Sequence, residues 1–199
     1  VASWFFVPGV IGMVLNVAGI LVSSATLLRE KETGTLEQLL MTPVSSAEIL
    51  IAKIVPLVAV LFINIGVSLT IGMCVFGLPF RGNPITLLVI SLLYVFTVMS
   101  IGISLATISS NQRQAMLISF FITMPVIQLS GAVTPLESMP PFFRGLALMN
   151  PLMYYIVCLK GVLLKGVGLD ILWPEVAVLF CFAFVLLGAS ASRFRKQLA

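Results

Sequence analysis

ITLLVISLLYVFTVMSIGISLATI, residues Ile85 to Ile108, runs without a single charged side chain. A bilayer core of about 30 Å needs about 20 such residues in an α-helix, so this stretch alone is long enough to span it. Four further runs reach that length: Trp4 to about Leu28, about Ile49 to Leu78 with Lys53 near its start, Ala115 to about Val133, and about Ile171 to Ala191. The composition agrees, with 60% hydrophobic residues, 9% charged residues and a mean hydropathy of +1.18. Soluble domains carry roughly 25% charged residues. The reading is an all-α polytopic membrane protein with five transmembrane helices, forming one domain over residues 1–199.

Several functions are excluded early. There are no histidines, which removes Ser-His and Cys-His catalysis and the commonest metal ligand. Cys74, Cys158 and Cys181 sit in apolar segments without CxxC spacing, so neither a disulfide framework nor a zinc site is expected. The net charge of +4 does not imply nucleic acid, because the basic residues lie at the ends of apolar runs. An intramembrane enzyme would require an unusual Ser-Lys pair, and Lys53 and Lys160 fall on opposite sides of the expected topology. The chain opens with Val1 and has no basic segment before its first apolar run, so that run does not read as a signal peptide.

The stretch from Pro135 to Gly168 resists a simple span. Pro140-Pro141 and Asn150-Pro151 break it, and the apolar part after Pro151 is short and interrupted. It reads as a pair of short helices, about residues 136–166, lying in or dipping into the membrane interface. A re-entrant element of this kind is tolerated where protein covers its backbone. With five spans, Arg29, Lys31, Lys53, Arg113, Arg193, Arg195 and Lys196 fall on one side, and Arg81, Arg144, Lys160 and Lys165 on the other. The richer side is expected to be cytoplasmic, placing the N-terminus outside and the C-terminus inside. The last span has a legible start: Trp173 suits the interface, Pro174 the first helical position, and Glu175 the positive end of the helix dipole.

The longest cytoplasmic connection, LREKETGTLEQLLMTPVSSAEILIAK (Leu28 to Lys53), contains two helix starts. Thr35-Leu36-Glu37-Gln38 and Ser45-Ser46-Ala47-Glu48 both fit a capping box, and Val44 with Ile49 suits a hydrophobic staple. Pro43 disfavours continuation of the first. The spacing predicts a short helix over about residues 36–41, with Leu36, Leu39 and Leu40 as its apolar stripe. So short a helix has little intrinsic stability, and its stripe must pack on the rest of this protein or on a cytoplasmic partner.

Glu30, Glu32, Gly34-Thr35, Glu37, Leu39-Leu40, Thr42-Pro43 and then Lys53 resemble the cytoplasmic signature of type 2 permeases of ATP-binding-cassette (ABC) exporters. A second set resembles the extracellular re-entrant helix pair of that family: Met139-Pro140, Phe143, Leu146, Asn150-Pro151, Tyr154, Gly161 and Gly166. The resemblance covers essentially the whole chain, in order, and falls closest to the multidrug-efflux group. Such permeases have six spans, so this chain is expected to start at the second.

The resemblance implies a cytoplasmic coupling helix that docks on an ATPase subunit, with Gly34, Thr35, Leu36, Glu37, Leu39, Leu40, Thr42 and Pro43 as the docking surface. Arg29, Glu30, Lys31 and Glu32 would form a charge cluster at the membrane face, which is equally a solvated charge run at a span end. Pro140, Asn150, Pro151 and Tyr154 would shape the re-entrant pair. It also implies a second permease subunit, identical or homologous, in a plasma or inner membrane. This chain lacks a GxxxxGK[ST] phosphate loop, since Gly161-Val-Leu-Leu-Lys165-Gly166 has the wrong spacing. It is therefore not itself an ATPase and is expected to bind no cofactor; ATP would be hydrolysed by the partner.

Asn16, Asn64 and Gln128 are the strongest polar residues inside the spans. They are candidates for a translocation pathway or for structural bonds between helices. Small residues at helical spacing, Gly12/Asn16, Gly102/Ala106 and Ser100/Ser104, permit close helix contact within the subunit or across a dimer. No acid lies mid-span, which argues against a proton- or sodium-driven carrier. The expected function is the membrane-spanning part of an ATP-driven exporter, with membrane lipid around it. The alternative is an ATPase-independent channel or carrier.

Overall fold

The computed structural model describes residues 2–32 and 46–198. All regular structure among them is helical. α1 spans Ala2–Glu32, α2 Ser46–Phe76, α3 Pro84–Ile108, α4 Gln112–Gln128, α5 Pro141–Ala147, α6 Pro151–Lys160 and α7 Leu169–Leu198. A short 3-10 turn, Leu136–Ser138, precedes α5, and a π-turn, Gly161–Lys165, extends α6.

Local chemistry explains most of the boundaries. Asn83 caps α3 by accepting from the Ile85 N–H at 2.8 Å, and Pro84 follows at the position where a missing N–H costs nothing. Asn111 caps α4 through the Gln114 N–H at 2.8 Å. At the far end of α2, Gly77 takes φ +60° and the Leu78 N–H returns to the Gly72 carbonyl, which ends the helix. Prolines 8, 56, 125 and 174 lie inside helices, as is common in membrane spans.

Interhelix contacts give the direction of each element. Trp4 donates from its indole N–H to the Phe76 carbonyl at 3.2 Å, and Gly72 faces Val7, so α1 and α2 are antiparallel. Down the α1–α3 seam, Asn16 meets Tyr94, Gly19 meets Val98 and Gly102 meets Ser23. Along α1 and α4, Gln112 meets Glu32, Ser119 meets Ser24, and Ala132 meets Gly9. Helix direction therefore alternates from α1 to α4. α7 starts beside Arg81, against which Gly166 packs, and so runs with α3, the helix it contacts most.

Among the described residues, four helices are long and apolar enough to cross a membrane: Phe6–Arg29, Ile54–Phe76, Pro84–Ile108 and Leu169–Ser190. α4 has 17 residues, at the lower limit for a span. Its helix ends at Gln128, short of the expected Val133, and a turn with Gly131 at φ +75° carries the chain on to Ala132. Helix and turn together follow α1 from Glu32 to Gly9, about 35 Å at 1.5 Å per residue. α7 also differs from expectation. It begins at Leu169, so Pro174 lies inside the helix instead of opening it. The reason is upstream: the Gly168 carbonyl accepts from the Ile171 and Leu172 N–H groups and starts the helix early.

α5 and α6 form a pair bent by 83°. α5 is largely exposed, whereas α6 lies at the centre of the fold. Leu152, Tyr155, Cys158, Leu159, Val162 and Leu163 are each 0% exposed. Gly82 and Gly166 make this possible at the far end. A Cβ on Gly82 would stand 2.5 Å from the Val162 carbonyl oxygen, and Gly166 adopts φ +67° against Arg81. α2 and α7 contribute few buried residues; Ile63, Val75, Phe180 and Phe184 face outward. Such faces require lipid or another protein as cover.

Candidate functional site

The polar centre of the bundle is built from α1, α3 and α6. Tyr94 donates its hydroxyl to Asn16 Oδ1 at 2.7 Å, and Ser91 and Tyr155 share a hydroxyl contact at 3.2 Å. The two tyrosine rings stack with centroids 4.1 Å apart and planes 5° from parallel. Both are completely buried. A buried tyrosine carries a large apolar ring but needs a partner for its hydroxyl; here Asn16 and Ser91 supply those partners. Sequence reasoning passed over Tyr94, Tyr155 and Ser91. The available signal was a tyrosine hydroxyl in the middle of a charge-free run, with Asn16 as a matching acceptor in another.

The proposed pathway amides are not brought together. Asn16 is 1% exposed and holds Tyr94, leaving its Nδ2 without a partner. Asn64 is partly buried with an unpartnered Oδ1, and Gln128 is exposed as the last residue of α4. Among the described residues, no hydrogen bond joins any two of the three. Tyr94→Phe should cost about 1–2 kcal/mol, because it strands the Asn16 carbonyl. Pairing it with Asn16→Leu should recover part of that loss, since removing both polar partners is nearly neutral. Thermal unfolding of the single and double variants in mild detergent checks both signs.

Three of the four residues singled out around the helix pair lie at its breaks, and Tyr154 reaches back to one from inside α6. Pro140 precedes α5 and Pro141 opens it. Asn150 caps α6, accepting from the Leu152 N–H at 3.0 Å, while its Nδ2 donates to the Val126 carbonyl of α4 at 2.6 Å. Pro151 opens α6, and the Tyr154 hydroxyl donates back to the Leu148 carbonyl at 2.9 Å. The break between α5 and α6 is thus tied to α4.

Gly12 and Gly102 allow close helix contact inside the subunit. A Cβ on Gly102 would lie 2.8 Å from the Ile20 carbonyl oxygen of α1, and one on Gly12 would lie 2.9 Å from Ile156 of α6. Ala106 joins Leu28 and Ala115 in a small apolar cluster one turn further along. Between α1 and α2 an apolar groove of about 450 Å³ opens outward, lined by Val7, Val10, Val14, Ile71 and Phe76, with Ser68 as its polar member.

Gly34, Thr35, Leu36, Glu37, Leu39, Leu40, Thr42 and Pro43, expected from the resemblance to dock on an ATPase, lie outside the described residues, as do the side chains of Glu30 and Lys31. Of the charge cluster, Arg29 and Glu32 are exposed at the end of α1. The Glu32 carboxylate accepts from the Gln112 backbone N–H at 2.8 Å, a contact that sequence reasoning did not anticipate.

Comparison with known proteins bears directly on this arrangement. The profile of the family described as ABC-2 type transporter matches residues 3–164, from α1 through the α5–α6 pair. The chain belongs to the ABC-2 type transporter family. It is 32% identical over 195 residues to the probable multidrug ABC transporter permease YbhR of Escherichia coli, covering 98% of this chain and 53% of that protein. It is also 32% identical over 200 residues to the inner membrane transport permease YhhJ of Escherichia coli, with the same coverage of 98% and 53%. ABC transporter G family member 20 of Dictyostelium discoideum is 27% identical over 176 residues, 88% of this chain and 24% of that protein. The chain therefore spans about half the length of its bacterial relatives. Within this ABC-2 type transporter chain, the α1–α3–α6 centre and the α4 contacts at Glu32 and Asn150 have defined polar geometry.

Proposed function

We propose that this chain is the membrane-spanning permease part of an ATP-driven exporter, paired with a second permease subunit and driven by a separate ATPase. The observation that carries the reading is the ABC-2 type transporter match across an alternating bundle of apolar helices. YbhR is named a probable multidrug ABC transporter permease and YhhJ an inner membrane transport permease.

In this reading residues 36–41 form the coupling helix, and Gly34 to Pro43 supply the surface that docks on the ATPase. Its two connections, α1 and α2, enter the membrane as long helices that carry a push upward. The end marked by Arg29, Glu32 and Arg113 faces the cytoplasm, since basic residues accumulate on that side. The Arg81 and Lys165 end faces outward. The bent α5–α6 pair is then re-entrant from the outside, with α6 covered by α1, α3 and α7 as the membrane interior demands. ATP binding draws the ATPases together, and the coupling helices switch access to a pathway between the two permeases. Charge-poor spans and an apolar groove suit an amphiphilic or hydrophobic cargo such as a drug or lipid-like molecule.

The test is affinity purification of the tagged full-length protein from its native membrane. An ATP-binding-cassette ATPase should come with it, and the pair in liposomes should move a lipophilic dye at the expense of ATP. Recovery without any ATPase, together with passive flux through the purified protein, would overturn the reading in favour of a channel.

A further inference from the structure

Glu32 is the last described residue of α1, and its carboxylate is tied to another helix. Glu32 Oε1 accepts from the backbone N–H of Gln112 at 2.8 Å, across 80 positions of sequence. Gln112 is the first residue of α4, where N–H groups lack helical partners and the dipole is positive. The other caps at that end are local: the Gln114 N–H goes to Asn111 and the Ser110 N–H to the Gln114 side chain, both at 2.8 Å. The Gln112 N–H instead reaches another helix.

This contact sits at the head of a continuous seam. Behind it Leu28 packs on Ala115, Ser24 meets Ser119 at 3.3 Å, and Gly9 receives Ala132. Small side chains along this line leave little slack, so a displacement at the Glu32 end is passed along α4. The far end of α4 is held in turn by Asn150, through the Val126 carbonyl.

We infer that Glu32 is a positioning residue for transport: its carboxylate, anchored on the first N–H of α4, passes movement of the chain leaving α1 directly to α4. This inference rests on the exporter reading, in which that chain leads into the ATPase-docking helix. It assigns α4 a mechanical input of its own, separate from the α1 and α2 connections. The outward face of α4, with Leu117, Phe120 and Phe121 exposed, would then shift with each nucleotide cycle.

The experiment uses the full-length permease with its ATPase in lipid nanodiscs. The exposed Cys74 and Cys181 are replaced by Ser, and Gln128→Cys reports at the far end of α4. Labelling by a membrane-impermeant maleimide is timed with and without ATP–vanadate trapping. The expected result is a labelling ratio of at least threefold between the two states with Glu32 present. It falls below 1.5-fold in Glu32→Ala, although the ATPase still co-purifies, and at least half of it returns in Glu32→Gln, which keeps an acceptor. A ratio unchanged in Glu32→Ala would overturn the inference, as would the absence of any nucleotide effect with Glu32 present. If the unsubstituted permease retains no ATPase, the exporter reading falls and takes this inference with it.

Discussion

Glu37→Lys combined with Leu40→Asp in the full-length protein is expected to strip the ATPase from the purified permease. Leu40 belongs to the apolar stripe of Leu36, Leu39 and Leu40 on a predicted helix of under two turns, which is too short to be stable without a partner. A carboxylate placed in such a contact must be desolvated without a counter-ion, and apolar anchors at the centre of an interface cost about 2 kcal/mol or more when lost. Reversing the charge of Glu37 adds repulsion wherever the ATPase offers a basic side chain. The combined weakening is on the order of 100-fold, enough to empty the complex during purification. The ratio of ATPase to permease, measured by mass spectrometry of the tagged eluate, is the readout. The double variant must still elute as a folded species on size exclusion. Full retention of the ATPase would remove residues 34–43 from the docking surface.

Asn150→Ala carries the second large effect, this time on stability. Asn150 is 6% exposed and holds two contacts at once: its carbonyl caps α6 and its amide nitrogen binds the Val126 carbonyl of α4. Loss of the cap costs about 1 kcal/mol. Loss of an interhelix hydrogen bond in an apolar surrounding costs about 1–2 kcal/mol more. Thermal unfolding in mild detergent should therefore drop by several degrees. Asn150→Asp separates the two contributions, because a carboxylate still caps α6 but presents no donor to Val126 and faces its carbonyl oxygen instead. The Asp variant should lose the α4 tie while keeping the helix start, which limited proteolysis of the α5–α6 link would reveal. Unchanged unfolding in Asn150→Ala would mean that α6 is held by its apolar burial alone.

Much of the helix pattern is written locally. Asn83-Pro84, Asn111 and Asn150-Pro151 announce helix starts because a side-chain oxygen must satisfy a free N–H, and proline has none to satisfy. The breaks at Pro140-Pro141 and Asn150-Pro151 fall where expected. Pro174 shows the limit of that reasoning: it suits a helix start, but the chain had already turned helical at Leu169, and α7 carries the proline within it. The end of α4 at Gln128, with Asn150 taking the Val126 carbonyl, depends on a residue 24 positions away in sequence.

The candidate site divides the same way. Asn16 stood out as a polar residue in an apolar helix, but its partner Tyr94 lies on α3, and neither residue alone indicates a network. The stretch after Pro151 read as lying in or dipping into the interface because it is short and interrupted, and in the structure α6 is buried against α1, α3 and α7. Length and breaks indicate whether a segment can span. They do not say whether protein or lipid surrounds it.

From its sequence alone this protein was bound to be a helical membrane protein: 60% hydrophobic residues in runs of span length leave no other way to satisfy the backbone in an apolar medium. Its helix starts, and the basic bias between the two ends, were likewise local properties of the chain. Only the tertiary structure decided which faces meet protein, that α6 fills the core, and that Glu32 reaches the first N–H of α4. The physical reason is that a helix apolar on every side carries no stripe pointing to its partner. The choice falls instead to shape, through Gly12, Gly82 and Gly102 and the few hydroxyls and amides that find one another across helices.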